Sequence, residues 1–300
     1  MVILAEKLVH FLKSPFRLDD SPADASSASL HDFRTKTSGF LSQAGGNGSE
    51  MKSFAWFNNC FEMMHVANNA FGKLVVEIDY PMSQWGAAAT HDYLSYTLSL
   101  MDMLNSINSS VSHLNMLKIS VLHGLSLVEN SPNSAAKHLN KIWSNNLCRG
   151  FKVERPPPGI HIRPGSDHKE HVILEALMVL KKIGFFALGL VVSGLCSDAK
   201  PFVEMRSDDP LKKVMESRFC RDVTKIQSFV EEVNCAAERL SAAISSAECD
   251  EAVGELKGRL EVMENAIQGI EKQANSLFYE VLATRNKLLD NIQFAGYMKM

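Results

Sequence analysis

From residue 53 onward, apolar side chains recur three or four positions apart, the spacing of one helix face. In SFAWFNNCFEMMHVANNAFGKLVVEI the positions Phe54, Phe57, Phe61, Met64, Ala67, Phe71 and Leu74 form such a stripe. The break IDYPMSQWG, with Pro81 and Gly86, closes that helix. A second helix is predicted over 90–107, with Tyr93, Tyr96, Leu100 and Met103 on one side. A third fits 110–129, with Leu114, Leu117, Val121 and Leu125 on its face. The turn ENSPNS then leads into a short fourth helix, capped by Asn133 or Ser134 and reaching about Leu147. Sustained alternation bounded by hairpin turns, the signature of strands, is absent.

The C-terminal third carries the strongest period. Leu256, Leu260, Met263, Ile267, Ile270, Ala274, Leu277 and Val281 are spaced 4-3-4-3-4-3-4, and the stripe continues to Leu288. Upstream, Val223, Ile226, Val230, Val233, Ala237, Leu240 and Ile244 form a similar seam, and SSAECDEA between the two offers a turn and a fresh cap. The predicted fold is therefore all-α. A helical bundle over 51–200 is followed by a long antiparallel, coiled-coil-like hairpin over 208–293 packed on it as one continuous domain. A seam of this kind also suits pairing with a second chain, so a homo-oligomer is the alternative.

Two stretches interrupt the helices. Residues 14–50 are dominated by Ser, Gly, Asp and Pro and read as a mobile linker behind a short amphipathic segment, in which Leu4, Leu8, Phe11 and Leu12 share a face. Ser14 and Ser21 each precede a proline there and fit a proline-directed kinase. Pro156, Pro157 and Pro158 forbid helix and favour an extended connector near 155–165.

Residues 172–196, VILEALMVLKKIGFFALGLVVSGLC, are the most apolar run. A bilayer span takes about 20 apolar residues, whereas Glu175, Lys181 and Lys182 leave only 183–196 uninterrupted. A buried core helix is the expectation, and a membrane anchor or re-entrant segment is the alternative. Gly184, Gly189 and Gly194 allow a neighbour to approach closely.

Composition narrows the function classes. With 31 Lys and Arg against 34 Asp and Glu, the chain has no basic surplus for nucleic acid. Six cysteines without a CxxC pair suggest reduced intracellular thiols rather than a disulfide framework or zinc site. The opening apolar run is cut by Glu6 and Lys7, unlike a secretory signal, and Asp19, Asp20 and Asp24 are unlike an acid-poor transit peptide. A cytoplasmic location is expected, with endomembrane or plastid as alternatives.

Candidate chemistry is sparse. His161, His168 and His171, with Glu170 and Glu175 nearby, invite a metal, but Pro164 and Gly165 put His161 in a loop and the other two on a first helical turn. Glu62-Met-Met-His65 is a single Glu-x-x-His element, where di-iron bundles need two plus two further glutamates. No nucleophile elbow, P-loop or dinucleotide fingerprint occurs. Neither an enzyme, a cofactor nor a metal site is expected.

Read as a whole, the helical body resembles the plant BYPASS family. Within SFAWFNNCFEMMHVANNAFGKLVVEIDYPMSQW, the residues Trp56, His65, Lys73, Pro81, Ser83 and Trp85 fall at the family's spacing. Tyr93, Leu94, Asp102, Leu114, Leu122 and His123 match the next stretch, and Phe278, Arg285, Leu288, Leu289 and Asn291 match the C-terminal one. SPFR at Ser14–Arg17 resembles a short N-terminal element. Gln84 and GAAATHD, starting at Gly86, depart from the family, which has Asp and a charged run there. The resemblance implies a non-enzymatic developmental regulator restraining a root-to-shoot growth-arrest signal, working through protein partners. Core packing is the expected role of Trp56, His65 and Trp85. Two other readings stay open: a membrane-associated protein, and a binder of a small apolar ligand between Phe- and Met-rich helices.

Overall fold

The computed structural model describes residues 25–44, 54–139, 168–196, 229–244 and 248–297. Over these the chain is helical: α1 (Ala25–Ala44), α2 (Phe54–Glu77), a 3-10 turn (Met82–Gln84), α3 (Ala87–Ser126), α4 (Pro132–Leu139), α5 (His168–Cys196), α6 (Phe229–Ala243) and α7 (Cys249–Tyr297). No strand occurs among the described residues, and the fold is all-α.

The apolar helix α5 packs against α1, α2 and α3. A helix covered on several sides has no solvated face, which explains why its sequence is apolar nearly all round. Its charges are partnered. Glu175, 4% exposed, receives Arg34 Nη2 of α1 at 3.1 Å and lies 3.4 Å from His171 Nε2. Lys181 pairs with the buried Asp92 of α3. Among the described residues no helix is long and apolar enough to cross a membrane.

Two elements differ from the sequence reading. The linker predicted over 14–50 is helical across Ala25–Ala44. Its Ser26, Leu30, Phe33 and Thr37 are all buried and spaced 4-3-4. Thr37 Oγ1 donates to Phe33 O at 2.9 Å, so a residue counted as linker-like is internally satisfied inside the stripe. The second and third predicted helices are one, α3, 40 residues long. The apparent break near Ser109 contains no Gly or Pro. Ser106 and Ser110 bond back to the Asp102 and Ser106 carbonyls at 3.0 Å, and Asn108 Nδ2 reaches across to Asn275 Oδ1 of α7 at 2.9 Å.

Helix α7 runs antiparallel to α3. Lys118–Glu264 (2.8 Å), Asn108–Asn275 and Arg285 Nη1–Thr97 Oγ1 (2.9 Å) pin the pair at three levels. It also runs antiparallel to α6, bridged by Arg239–Glu255 (2.6 Å) and Arg259–Glu232 (2.7 Å). The apolar positions of the predicted seam, Leu256 to Val281 and Leu288, are all buried, with Thr284 between them half-buried. The stripe faces α6, α3 and α2 rather than a single partner helix, and it joins one hydrophobic core that extends from Leu30 to Leu288. Val223 and Ile226, the Pro156–Pro158 connector and the N-terminal segment lie outside the described residues.

Candidate functional site

Helix α2 ends in a two-bond turn that sets up the site. Tyr80 N–H donates to Val75 O (3.3 Å) and Asp79 N–H to Val76 O (3.1 Å), the pattern of a Schellman cap. Asp79 takes the left-handed position of that cap, φ 49°, and Lys169 Nζ of α5 donates to its carbonyl at 3.2 Å. Pro81 then forces an extended step, φ −62° and ψ 153°. Trp85 closes the loop, its indole N–H donating to Tyr80 O at 3.1 Å.

The loop delivers Trp85 into an aromatic cluster. Its ring meets Tyr93 edge-on at 5.6 Å and Phe71 at 6.1 Å. Phe71 stacks on Tyr93 at 6.1 Å and touches Phe33 of α1 at 6.4 Å. Four elements thus share one packed cluster. Burial pushes the Tyr93 phenol up to about 12, with the Glu280 charge adding to the rise and Arg285 opposing it.

Beside this cluster lies a polar node on α7. His65 Nδ1 of α2 is 2.7 Å from Glu280 Oε2, and Asn68 Nδ2 lies 3.5 Å from Oε1. The Glu280 hydrogen bond raises the His65 pKa above its ordinary value, against partial burial. Just over one turn along α7, Arg285 Nη1 donates to Leu94 O and to Thr97 Oγ1. The guanidinium, permanently charged, ties α7 to α3.

Four of the positions singled out from sequence, His65, Trp85, Tyr93 and Arg285, are therefore brought together, and Pro81 shapes the loop beside them. Asp102 is exposed on α3, where its carbonyl accepts from Ser106. His123 lies near the other end of α3, its ring 4.7 Å from that of His138. Trp56 falls in the first turn of α2, its side chain outside the described residues; Ser14 and Ser21 also lie outside them. His161 does too, and His171 is engaged with Glu175. Among the described residues no three His, Cys, Asp or Glu side chains gather to hold a metal.

Sequence reasoning missed Glu280, Thr97 and Phe71 as members of the site. It also missed what supplies the negative charge at the start of GAAATHD, whose own acid, Asp92, pairs with Lys181. The carboxylate of Glu170, in the first turn of α5, lies over Gly86, the N-cap of α3. A negative group at that place offsets the positive end of a 40-residue helix, and a Cβ on residue 86 would collide with it.

The arrangement is that of a helical scaffold whose singled-out side chains join α2, α3 and α7 and hold the loop between them. Comparison with known proteins gives the family. A family model described as Protein BPS1 matches residues 130–292, more than half of the chain, and the chain belongs to this BYPASS family. Protein BPS1, chloroplastic, of Arabidopsis thaliana is 22% identical over 298 residues, covering 89% of this chain and 84% of the relative. No solved structure matches.

Proposed function

We propose that this chain is a non-enzymatic plant developmental regulator that restrains a root-derived mobile growth-arrest signal through contacts with other proteins. Membership of the BPS1 family supports the developmental part. The adaptor-like part rests on one observation: large apolar side chains stand exposed one turn apart on α3, Met116 at 70% and Ile119 at 64%. The site residues His65, Trp85 and Arg285 are by contrast engaged with neighbouring helices. In this reading the node maintains the scaffold and the helix faces meet partners.

The relative's description as chloroplastic favours a plastid over the cytoplasm expected from the acidic residues near the start. The test is complementation of a plant lacking the family member, scored by shoot growth. The wild-type chain is expected to restore growth, and Met116→Glu/Ile119→Glu is expected to fold normally and fail. Full rescue by the double variant would refute the surface reading. A fluorescent fusion scored for plastid entry in the same plants would decide the compartment.

A further inference from the structure

Two of the polar contacts that α7 makes with its neighbours differ in kind. Arg285 holds α3 with a charge that does not titrate in the physiological range. His65 holds α2 through a group that does. We propose that the α2–α7 contact is a proton-operated clamp, closed while His65 is protonated and loosened when it is not, with Arg285 keeping α7 on α3 in both states.

Geometry supports this first. His65 Nδ1 faces Glu280 Oε2 at 2.7 Å, with the ring 26% exposed and so open to proton exchange with water. The charges acting on it are negative, Glu280 of α7 and Glu62 of its own helix, and Gln273 of α7 adds a hydrogen bond. Tyr93 of α3 feels the charges of both Glu280 and Arg285 of α7, and Arg285 is bonded to Leu94 O of α3. Several charged groups of the other helices packed on α2 have partners of their own. Arg34 of α1 and His171 of α5 meet Glu175, Asp32 of α1 meets Lys36, and Lys181 of α5 meets Asp92. A protonated imidazole donates a charge-assisted bond to Glu280. The neutral ring can still donate to the carboxylate, but the charge–charge attraction of the ion pair is gone.

The sign follows from the raised pKa of His65. A histidine whose folded pKa exceeds its unfolded value, about 6.5, contributes its full stabilisation below that value. The contribution is lost as pH rises through the folded pKa.

Amide hydrogen exchange of the full chain at pH 6 and pH 8.5, corrected for intrinsic rates, tests the clamp. Residues 61–72 and 274–284 should lose protection by about threefold or more at the higher pH relative to residues 89–100. His65→Gln, which keeps a side-chain N–H for Glu280, should abolish that differential loss. Glu280→Gln should do the same and serves if the first variant does not fold. The His65 ring, followed by NMR, should titrate with a midpoint above 6.5. Uniform protection at both pH values, a differential loss that persists in the variants, or a midpoint at or below 6.5 would each overturn the proposal.

Discussion

Replacing Gly184 with alanine sets two effects against each other. In the interior of α5, Gly→Ala gains about 0.8–1 kcal/mol of helix propensity. At this position the added Cβ would overlap the hydroxyl of Tyr96 and lie 3.1 Å from its Cε2 and 3.2 Å from Leu100 Cδ2. Tyr96 has little room to yield. It is 1% exposed, its ring meets Phe185 edge-on at 5.9 Å, and its hydroxyl donates to Leu180 O at 3.2 Å. Displacing it costs about 1–3 kcal/mol for overpacking and about 1–3 kcal/mol for a buried hydroxyl left without its acceptor. Sterics should win, leaving Gly184→Ala less stable by about 1–5 kcal/mol. Tyr96→Phe removes the atom in conflict, so Tyr96→Phe/Gly184→Ala should fall within about 1 kcal/mol of Tyr96→Phe alone. The coupling would then be about 1–3 kcal/mol. Urea unfolding of the four proteins, followed by far-UV circular dichroism, measures it. Wild-type stability in Gly184→Ala, or strictly additive losses, would refute the close approach of α3 and α5.

Other perturbations are equally readable. Arg34→Met leaves the buried Glu175 carboxylate with His171 but without its guanidinium partner and should cost up to about 3–5 kcal/mol, whereas Arg34→Met/Glu175→Leu should recover most of it; chemical denaturation of both checks this. Asp79→Gly relieves a left-handed residue while leaving its carbonyl for Lys169, and should raise stability by about 0.5–1 kcal/mol, seen as a higher melting temperature. Ile267→Ala in the fully buried stripe of α7 should cost about 2–5 kcal/mol by denaturation; a near-zero loss would mean the stripe is loosely packed.

The long periodic elements were legible because their burial repeats with the helix. The α7 stripe is buried position for position from Leu256 to Val281 and again at Leu288. Helix α1 was hidden by composition, since among its described residues two of the four buried positions are Ser26 and Thr37. The 4-3-4 spacing was present, but hydroxyl residues do not register as a stripe until their partners are known. The continuity of α3 was hidden in a similar way. Asn108, Ser106 and Ser110 favour turns in isolation, but here Asn108 Nδ2 bonds across the helix pair and the two serines bond along the helix itself.

For the node, resemblance pointed to His65, Trp85, Tyr93 and Arg285 separately. Their meeting depends on how α7 lies against α2 and α3, and no local pattern encodes that. Glu280 is the clearest case. It sits one position before the buried Val281 and five before Arg285, and only the α2 side of the groove reveals its partners.

Helix α7 has a hydrodynamic consequence. Forty-nine residues of helix extend roughly 73 Å, and the 40 of α3 alongside extend roughly 60 Å. A compact 300-residue globule would be only roughly 50 Å across. A monomer built on this shaft tumbles and diffuses like a heavier particle. Size-exclusion chromatography calibrated with spherical standards should therefore overestimate its mass. Light scattering, which weighs the particle without reference to shape, is the measurement that separates an elongated monomer from a dimer.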